Sequence, residues 1–303
     1  MSIKSIERII APGTSRFVGD GFRVHHFIPG TVSMQRMDPF LVMDYNSKYH
    51  FSPSEIPRGV GVHPHKGFET VTIAYKGRIA HGDSTGAGGV IGEGDVQWMT
   101  AASGVLHKEF HEREWSKKGG EFQMVQLWVN LPAKHKQDEP RYQLLQNKNM
   151  ARVALPDNNG EVEIIAGEYQ GKKGSANTFS PIHLYNVKLK KGANVDLHFP
   201  AEYATAILMI EGSVKVNNKE IVPQDHFALF NKEGERFSLE AIEDATVLVL
   251  AGAPGGKMQF QNSTGAPLHE PIAAHGPFVM NTRAELIQAF DDFNNGKFGY
   301  LED

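Results

Sequence analysis

The sequence is divided along its whole length into short runs of β-forming residues by glycines and prolines. It contains 31 glycines and 16 prolines in 303 residues, and these are spread through the chain. The strongest runs between them are Thr70–Tyr75, Gln123–Val129, Val162–Ile165, Ala206–Ile210 and Thr246–Leu250. Many short strands separated by turn residues are typical of a β-sandwich or barrel and not of alternating βαβ units. We therefore predict an all-β fold.

The length and a weak internal repeat indicate two domains. A chain of 303 residues is longer than one small domain and fits two of ordinary size. Tyr75–Ile79 and Ile210–Val216 both place a charged residue and a glycine after a β-forming run, and a turn with Asp95 or Asp225 follows each. Because turns draw on few residue types, chance similarity stays open as the alternative.

The boundary between the two domains is predicted from a polar segment near the middle of the chain. Leu131 to Arg141 is polar and contains two prolines, so we expect it to be the crossover. The first predicted domain then covers residues 1–135, and the second covers residues 136–303.

One helix is predicted near the end of the chain. Thr282 and Glu285 have the spacing of a capping box, and Gly296 supplies a stop signal. The apolar residues that then share one helical face are Leu286, Ile287, Phe290 and Phe293. We expect this face to pack on a barrel; a helix that binds a partner protein is the alternative.

The composition excludes several kinds of chemistry. The chain has no cysteine, so disulfides, thiolate metal sites and cysteine nucleophiles are excluded, and any metal must lie on imidazole and carboxylate groups. The net charge is −4 and no run of lysine and arginine resembles a nucleic-acid footprint, so we expect no direct nucleic-acid binding. Charged residues interrupt the start of the chain, and no apolar run reaches the ~20 residues of a membrane span. We expect a cytoplasmic protein that does not bind membranes.

Two short histidine motifs predict a metal site in the first half. Side chains two residues apart on a strand point to the same face, so His63 and His65 can reach one point. His107 and Glu109 repeat that spacing. On neighbouring strands the two pairs would direct three nitrogens and one carboxylate to a common centre. Such a set suits iron, nickel, copper, manganese or zinc, either with open positions on an octahedral ion or as a closed tetrahedral zinc site.

Spacing alone leaves a simpler interpretation open, because histidines on a β-surface are often only hydrogen-bonded side chains. Other residues are less suggestive. Gly82 to Gly94 has no strand-to-helix context for binding phosphate and is predicted to be a hairpin loop. His81 and His111 either line the mouth of the site or lie in solvated loops, and we favour the loops. Neither His198 nor His226 has a histidine two residues away.

Longer motifs around these residues resemble the pirin family, a branch of the cupin superfamily. They cover the chain from about residue 35 to its end and consist of Met37–Leu41, Gly61–Thr72, Gly94–Ala101, Gly104–Glu109, Leu127–Leu131, Glu270–Ile272 and Gly276–Thr282. The resemblance implies two cupin barrels in one chain, each a double-stranded β-helix of jelly-roll type, followed by the short C-terminal helix. It also implies a second barrel that keeps the fold but lacks the ligands.

The resemblance implies one divalent ion in the first barrel, held by His63, His65, His107 and Glu109. Iron(II) is the expected ion, with nickel, copper, manganese or zinc as alternatives. The chain departs from the family pattern at Ala102, where many relatives have glycine, but no ligand is lost. In other cupins a glutamate soon after the first histidine pair is itself a ligand. Glu109 lies two residues after His107 and therefore on the same face of its strand, which favours Glu109 over Glu69 as the fourth ligand. We expect Glu69 to orient an imidazole or to be structural.

The function implied by the resemblance is metal-dependent cleavage of a quercetin-like flavonol, or a related enediol or phenol, by dioxygen. The substrate would be small and planar, and Glu109 would act catalytically by accepting the proton of its 3-hydroxyl group. The products would be an ester and carbon monoxide. One alternative is a metal- or redox-sensing regulator that binds another protein, and another is a scaffold that the metal only stabilises.

Overall fold

The computed structural model describes residues 2–254 and 270–302, and its sheets are built from antiparallel strand pairs. The strands up to residue 145 are β1 (Ile6–Ile10), β2 (Arg16–Val18), β3 (Phe22–Ile28), β4 (Phe40–Phe51), β5 (Gly59–His65), β6 (Phe68–Lys76), β7 (Ile79–Asp83), β8 (Gly88–Ile91), β9 (Val96–Thr100), β10 (Val105–His111), β11 (Gly120–Asn130) and β12 (Arg141–Leu145).

The later strands are β13 (Ala151–Ala154), β14 (Gly160–Ala166), β15 (Glu168–Tyr169), β16 (Lys172–Lys173), β17 (Ile182–Leu189), β18 (Asn194–His198), β19 (Ala204–Glu211), β20 (Val214–Val216), β21 (Glu220–Val222), β22 (Phe227–Phe230), β23 (Arg236–Ala241), β24 (Ala245–Gly252), β25 (Ala273–His275) and β26 (Phe278–Met280). The α-helices are α1 (Met34–Met37), α2 (Arg113–Lys118) and α3 (Arg283–Asn294). Single 3₁₀ turns cover Ala133–His135, Asn147–Asn149 and Pro156–Asn158. The predicted all-β class is confirmed.

The strands form two compact units, which we call the first and the second barrel. Among the described residues, the first barrel comprises residues 14–35, 40–147 and 270–302, and the second comprises residues 2–13, 36–39 and 148–254. In the first barrel a seven-stranded sheet has the order β12-β9-β6-β11-β4-β3-β2 and a four-stranded sheet the order β5-β10-β7-β8. The second barrel repeats this pattern, with the orders β1-β22-β19-β24-β17-β14-β13 and β18-β23-β20-β21.

The barrels are discontinuous in sequence, which differs from the predicted division into residues 1–135 and 136–303. β1 pairs with β22 and so completes an edge of the second barrel from the start of the chain. The segment predicted to be the crossover lies within the first barrel instead, because β12 pairs with β9 directly after it. After Pro39 the chain stays in the first barrel as far as Asn147 and then continues in the second. Edge strands need a partner for their backbone groups, and sequence order does not specify which sheet supplies it.

The predicted strands and the internal repeat are confirmed. All five β-forming runs lie inside strands, namely β6, β11, β14, β19 and β24. The two repeated turns join β6 to β7 and β19 to β20, and Gly77 and Gly212 adopt φ angles of 87° and 70° there. Such left-handed angles favour glycine. Ala102, the departure from the family pattern, has a φ of 40°, which explains why glycine suits that position.

The helix predicted near the chain end is α3. The hydroxyl of Thr282 accepts from the backbone nitrogen of Glu285, and the Glu285 carboxylate accepts in return from the backbone nitrogen of Thr282. Leu286 and Phe290 pack against the apolar cluster around Phe278 as expected. Ile287 was wrongly assigned to the packed face, since 56% of it is exposed. No helix among the residues the structure describes is long and apolar enough to cross a membrane.

Candidate metal centre

The inner face of the four-stranded sheet in the first barrel carries the polar side chains of the candidate site. β10 alternates strictly between buried and partly exposed residues, and its buried set contains His107, Glu109 and His111. On the neighbouring β7, His81 and Asp83 are buried in the same alternating manner. The two-residue period of a strand therefore directs these side chains into the barrel.

Strand register brings the two predicted motifs together. His107 lies opposite His63 of β5, and Val105 lies opposite His65. The ladder is irregular between His107 and Glu109, so β5 contributes an extra residue at that point. Such a bulge twists the strand and changes the direction of nearby side chains. The rings of His63 and His65 lie 4.1 Å and 4.6 Å from that of His107, measured between centroids.

The candidate ligand atoms form two overlapping groups. One atom from each of His63, His65 and His107 lies within 4.8 Å of the others, and the same holds for His81, His107 and Glu109. The four predicted ligands are therefore linked through His107, but Glu109 is grouped with His81 instead of the His63–His65 pair. The four-residue ligand set stays a prediction.

The state of these histidines fits a divalent ion. Both ring nitrogens of His107 and Nδ1 of His65 are buried without a hydrogen-bond partner in the described part of the chain. Burial lowers the pKa of His65 and of His107 well below the usual range, so both rings are neutral at pH 7. Nδ1 of His63 lies 2.8 Å from the carbonyl oxygen of Gly61, and donation to it leaves Nε2 as the free nitrogen. Neutral imidazole is the form that binds metals, and unpaired buried nitrogens are costly without one.

A buried hydrogen-bond network fixes the carboxylate of Glu109. Its Oε1 lies 3.1 Å from the hydroxyl of Thr72 and accepts at 3.3 Å from Nε2 of Gln97. The same amide nitrogen of Gln97 lies 3.0 Å from Nδ1 of His81, which acts as the acceptor. Gln97 thus donates to Glu109 from the opposite sheet, and the hydroxyl of Thr72 lies within hydrogen-bond distance of the same oxygen. Partners of this kind orient a ligand and tune its basicity.

The prediction that His81 and His111 lie in solvated loops is wrong. His81 lies on β7, is 7% exposed, and stacks on the ring of Tyr142 with an interplanar angle of 12°. His111 lies at the end of β10 among the rings of Phe22, Phe51 and Phe122. Burial lowers its pKa to about 4, and Nε2 donates to a backbone carbonyl. Alternation along β10, continued from His107 and Glu109, would have placed His111 inside the barrel, whereas no motif lies on β7 and only strand register places His81 there.

Glu69 is buried on the other face of its strand. Its Oε1 accepts from the hydroxyl of Thr100 at 2.8 Å, while Thr72, three residues later, reaches Glu109. Burial raises the pKa of Glu69 to about 7. The groups of candidate ligands found among the described residues do not include Glu69. Its contacts are therefore those of a structural residue, and the alternative that it orients an imidazole has no support from them.

A cavity of about 360 Å³ opens beside the candidate ligands. His63, His65 and Glu109 line it together with apolar side chains, among them Met124 and Trp128. Trp128 stacks on Phe68 and contacts the ring of His65 at 5.1 Å between centroids. Trp98, which lies in the motif Gly94–Ala101, is fully buried in the core and does not line the cavity. Gln126 and Trp128 are two residues apart on β11, so their side chains point to the same face. That spacing is the sequence signal that would have identified this wall of the cavity.

The glycine-rich segment forms the hairpin of β7 and β8, as predicted, and Gly82 pairs with Gly88. His226 is half-buried, its ring bound to the carbonyl of Gln224, and His198 lies at the exposed end of β18. Neither belongs to the two ligand groups found within residues 2–254 and 270–302.

Comparison with known proteins agrees with this geometry. The sequence profile described as Pirin matches residues 21–129, and the one described as Pirin C-terminal cupin domain matches residues 184–299. A Pseudomonas aeruginosa protein named as a candidate quercetin 2,3-dioxygenase is 45% identical over 98% of this chain and 99% of its own. A pirin-like protein of Caulobacter vibrioides is 35% identical over 98% of this chain and 100% of its own.

Solved structures show the same fold. One titled quercetin 2,3-dioxygenase, from Acinetobacter baumannii, is 44% identical, has a TM-score of 0.89, and matches 99% of this chain and 100% of its own. A bacterial pirin from Escherichia coli, solved in complex with nickel(II), is 19% identical with a TM-score of 0.60, and matches 82% of this chain and 100% of its own. The two cupin barrels, the candidate ligands in the first barrel and the near-complete match to the relatives lead to one conclusion: this chain belongs to the pirin family.

Proposed function

We propose that the chain is a metal-dependent dioxygenase that cleaves a quercetin-like flavonol, or a related enediol or phenol, with dioxygen. The observation that carries the proposal is the cavity, in which candidate metal ligands and apolar walls meet. A volume of about 360 Å³ lies in the range of small-molecule sites. The relatives named as quercetin 2,3-dioxygenases support the reaction class.

The residues proposed to hold the ion are His63, His65, His107 and Glu109. Iron(II) is the proposed ion, and nickel, copper, manganese and zinc suit the same nitrogen and oxygen donors. When bound, the ion supplies a Lewis-acidic centre that lowers the pKa of a coordinated hydroxyl group. The neutral imidazoles need no proton loss before they bind it, and their burial keeps competing protons away.

Glu109 is proposed to accept the proton of the substrate hydroxyl. Oε1 accepts from Gln97 and lies 3.1 Å from the hydroxyl oxygen of Thr72, so Gln97 orients the carboxylate while Oε2 is left to act as the base. The oxygen of Thr72 also lies 2.7 Å from Oε1 of Gln126. Because a hydroxyl has a single proton, Thr72 donates to only one of these two residues at a time. A carboxylate so placed is held in one orientation, as general-base catalysis requires.

The walls are proposed to position the planar ring and to exclude water. Trp128 and Met124 face the cavity, and Trp128 is fixed by its stacking on Phe68. A flat aromatic substrate gains burial and ring contacts there. Exclusion of water around the reacting carbon also protects it from side reactions.

The test is metal analysis of protein purified without a chelating tag, followed by oxygen uptake on a flavonol panel. We expect about one divalent ion per chain, oxygen uptake with quercetin, and release of carbon monoxide. Flavones that lack the 3-hydroxyl group should not react. Equal rates with and without that group would contradict activation through it. Full metal occupancy with no oxygen uptake across the panel would favour the regulatory alternative.

Two buried glutamates of the first barrel give a matched pair of variants. Glu109→Gln should abolish turnover and weaken metal binding, because it removes the base and a charged donor. Glu69→Gln should leave both unchanged, because Glu69 contacts Thr100 on the other face of the sheet. Loss of the ion in Glu69→Gln, with the ion retained in Glu109→Gln, would reverse the ligand assignment.

A further inference from the structure

A row of polar side chains crosses the seven-stranded sheet of the first barrel. Strand register pairs His26 with Asp44, Asp44 with Gln126, Gln126 with Thr72 and Thr72 with Gln97. Residues at matched register positions on an antiparallel sheet share a face. The row therefore leads from the exposed His26 to Gln97, which is fully buried beside Glu109.

The hydrogen bonds along this row are interrupted at one point. Nδ1 of His26 lies 2.5 Å from Oδ1 of Asp44, and Gln126 is bound to Thr72. In the part of the chain that the structure describes, no hydrogen bond joins the side chains of Asp44 and Gln126. Both nevertheless line the 360 Å³ cavity. A carboxylate and an amide that face a cavity side by side without bonding each other form a place for a polar group of a ligand.

The other wall residues make this place distinctive. Apart from the candidate metal ligands, Asp44 and Gln126 are the charged and amide side chains among the lining residues, and most of the rest are apolar. In a mostly apolar pocket, a few polar groups fix the orientation of the ligand. An ionised carboxylate only accepts hydrogen bonds, so its ligand partner must be a donor.

We propose that Asp44 anchors the substrate by accepting a hydrogen bond from a second hydroxyl group, one other than the hydroxyl at the metal site. This inference rests on the proposed function, since it takes a flavonol or related phenol as the ligand class. It narrows that class to polyhydroxylated molecules. His26 acts as a positioning residue that holds the Asp44 carboxylate toward the cavity.

The pair of His26 and Asp44 is suited to this role. The hydrogen bond that His26 donates to Asp44 raises the pKa of His26, which favours the protonated ring. A charged donor on one oxygen fixes the side chain and leaves the second oxygen for a ligand. Hydrogen bonds to a charged group contribute more than those between neutral groups.

The test measures binding to metal-free protein, so that it does not depend on turnover. Isothermal titration calorimetry gives the Kd of quercetin and of analogues in which each hydroxyl group in turn is replaced by hydrogen. For the wild-type protein we expect one analogue, other than the 3-deoxy compound, to bind about tenfold more weakly than quercetin. Asp44→Asn should abolish that difference, and His26→Gln should reduce it while leaving the other analogues unaffected.

Asp196→Asn is the control, because Asp196 is an exposed carboxylate of the second barrel paired with Arg236. It should keep the wild-type preference. If Asp44→Asn does not fold, judged by circular dichroism, Asp44→Ser is compared in the same way. An unchanged preference in a folded Asp44 variant overturns the inference. A preference that depends on Asp44, in a protein that takes up no oxygen when loaded with metal, supports this inference and contradicts the proposed function.

Discussion

The two barrels have the same sheet order, but the four-stranded sheet of the first has polar side chains at interior positions where that of the second has apolar ones. In the four-stranded sheet of the first barrel, His63, His107 and Asp83 occupy one ladder across β5, β10 and β7. In the second barrel, the corresponding ladder across β18, β23 and β20 consists of Val195, Leu239 and Val216. The next positions repeat the contrast, since the pairing of Glu109 with His81 corresponds to that of Ala241 with Val214.

The contrast separates what the fold needs from what the site needs. Both interiors are buried and both follow the two-residue strand period, so alternation alone produces the barrel. The second barrel fills its interior with apolar side chains such as Leu239 and Val247. The first places polar groups there, and the nitrogens of His107 have no partner in the described residues. We therefore expect a bound ion to stabilise the interior of the first barrel, which the second barrel does not need.

The largest expected effect is loss of the ion in His107→Ala. His107 belongs to both groups of candidate ligand atoms, so its removal leaves two donors in each. An ion at a thousand times its Kd stabilises the folded state by about 4 kcal/mol, and the variant should lose this gain. Differential scanning fluorimetry with and without the ion measures it. His226→Ala, at a half-buried histidine of the second barrel, is the control that should keep the shift, and a shift kept by His107→Ala would contradict the site.

A reciprocal exchange at the shared ladder position tests the contrast itself. Leu239→His should destabilise the metal-free protein by about 3 kcal/mol, because it removes a buried apolar side chain and buries unpaired nitrogens. His107→Leu should leave the metal-free protein equally stable or more stable, since it removes the same cost. Urea denaturation without metal compares the two variants. Equal destabilisation by both exchanges would mean that the interior of the first barrel does not depend on a ligand.

A smaller effect concerns the pH dependence of stability. Burial raises the pKa of Glu69 to about 7, above its ordinary value of 4.5. A carboxyl group whose pKa is raised by folding stabilises fully at low pH, and its contribution falls as the pH rises from about 4.5 through 7. The loss amounts to about 3 kcal/mol at most. Glu69→Gln should remove this fall when the free energy of unfolding is measured between pH 4.5 and pH 8, and an unchanged pH profile would contradict the assignment.

The sequence was sufficient for the strands and for the family, and insufficient where distant segments meet. Alternation and turn residues predict β6 and β19, because these depend on local chemistry. They do not reveal that β1 completes the second barrel, since that pairing joins residues more than 200 positions apart. The histidine motifs identify four of the residues around the centre. His81, Gln97 and Asp44 carry no motif, and only strand register places them beside the site.

The smallest expected effect concerns α3, which has no counterpart in the second barrel among the described residues. Lys66, next to His65, lies 3.2 Å from the carboxylate of Asp292 on this helix. The cap at Thr282 satisfies the first turn, and Thr282→Ala should cost about 1 kcal/mol. Hydrogen exchange should therefore quicken about fivefold in α3, whereas Thr282→Ser should keep the wild-type rate. Metal affinity should not change, because the cap lies on the helix end away from Asp292. A weakened affinity in the folded variant would mean that the helix helps to hold His65 in place, a support that the second barrel does not need.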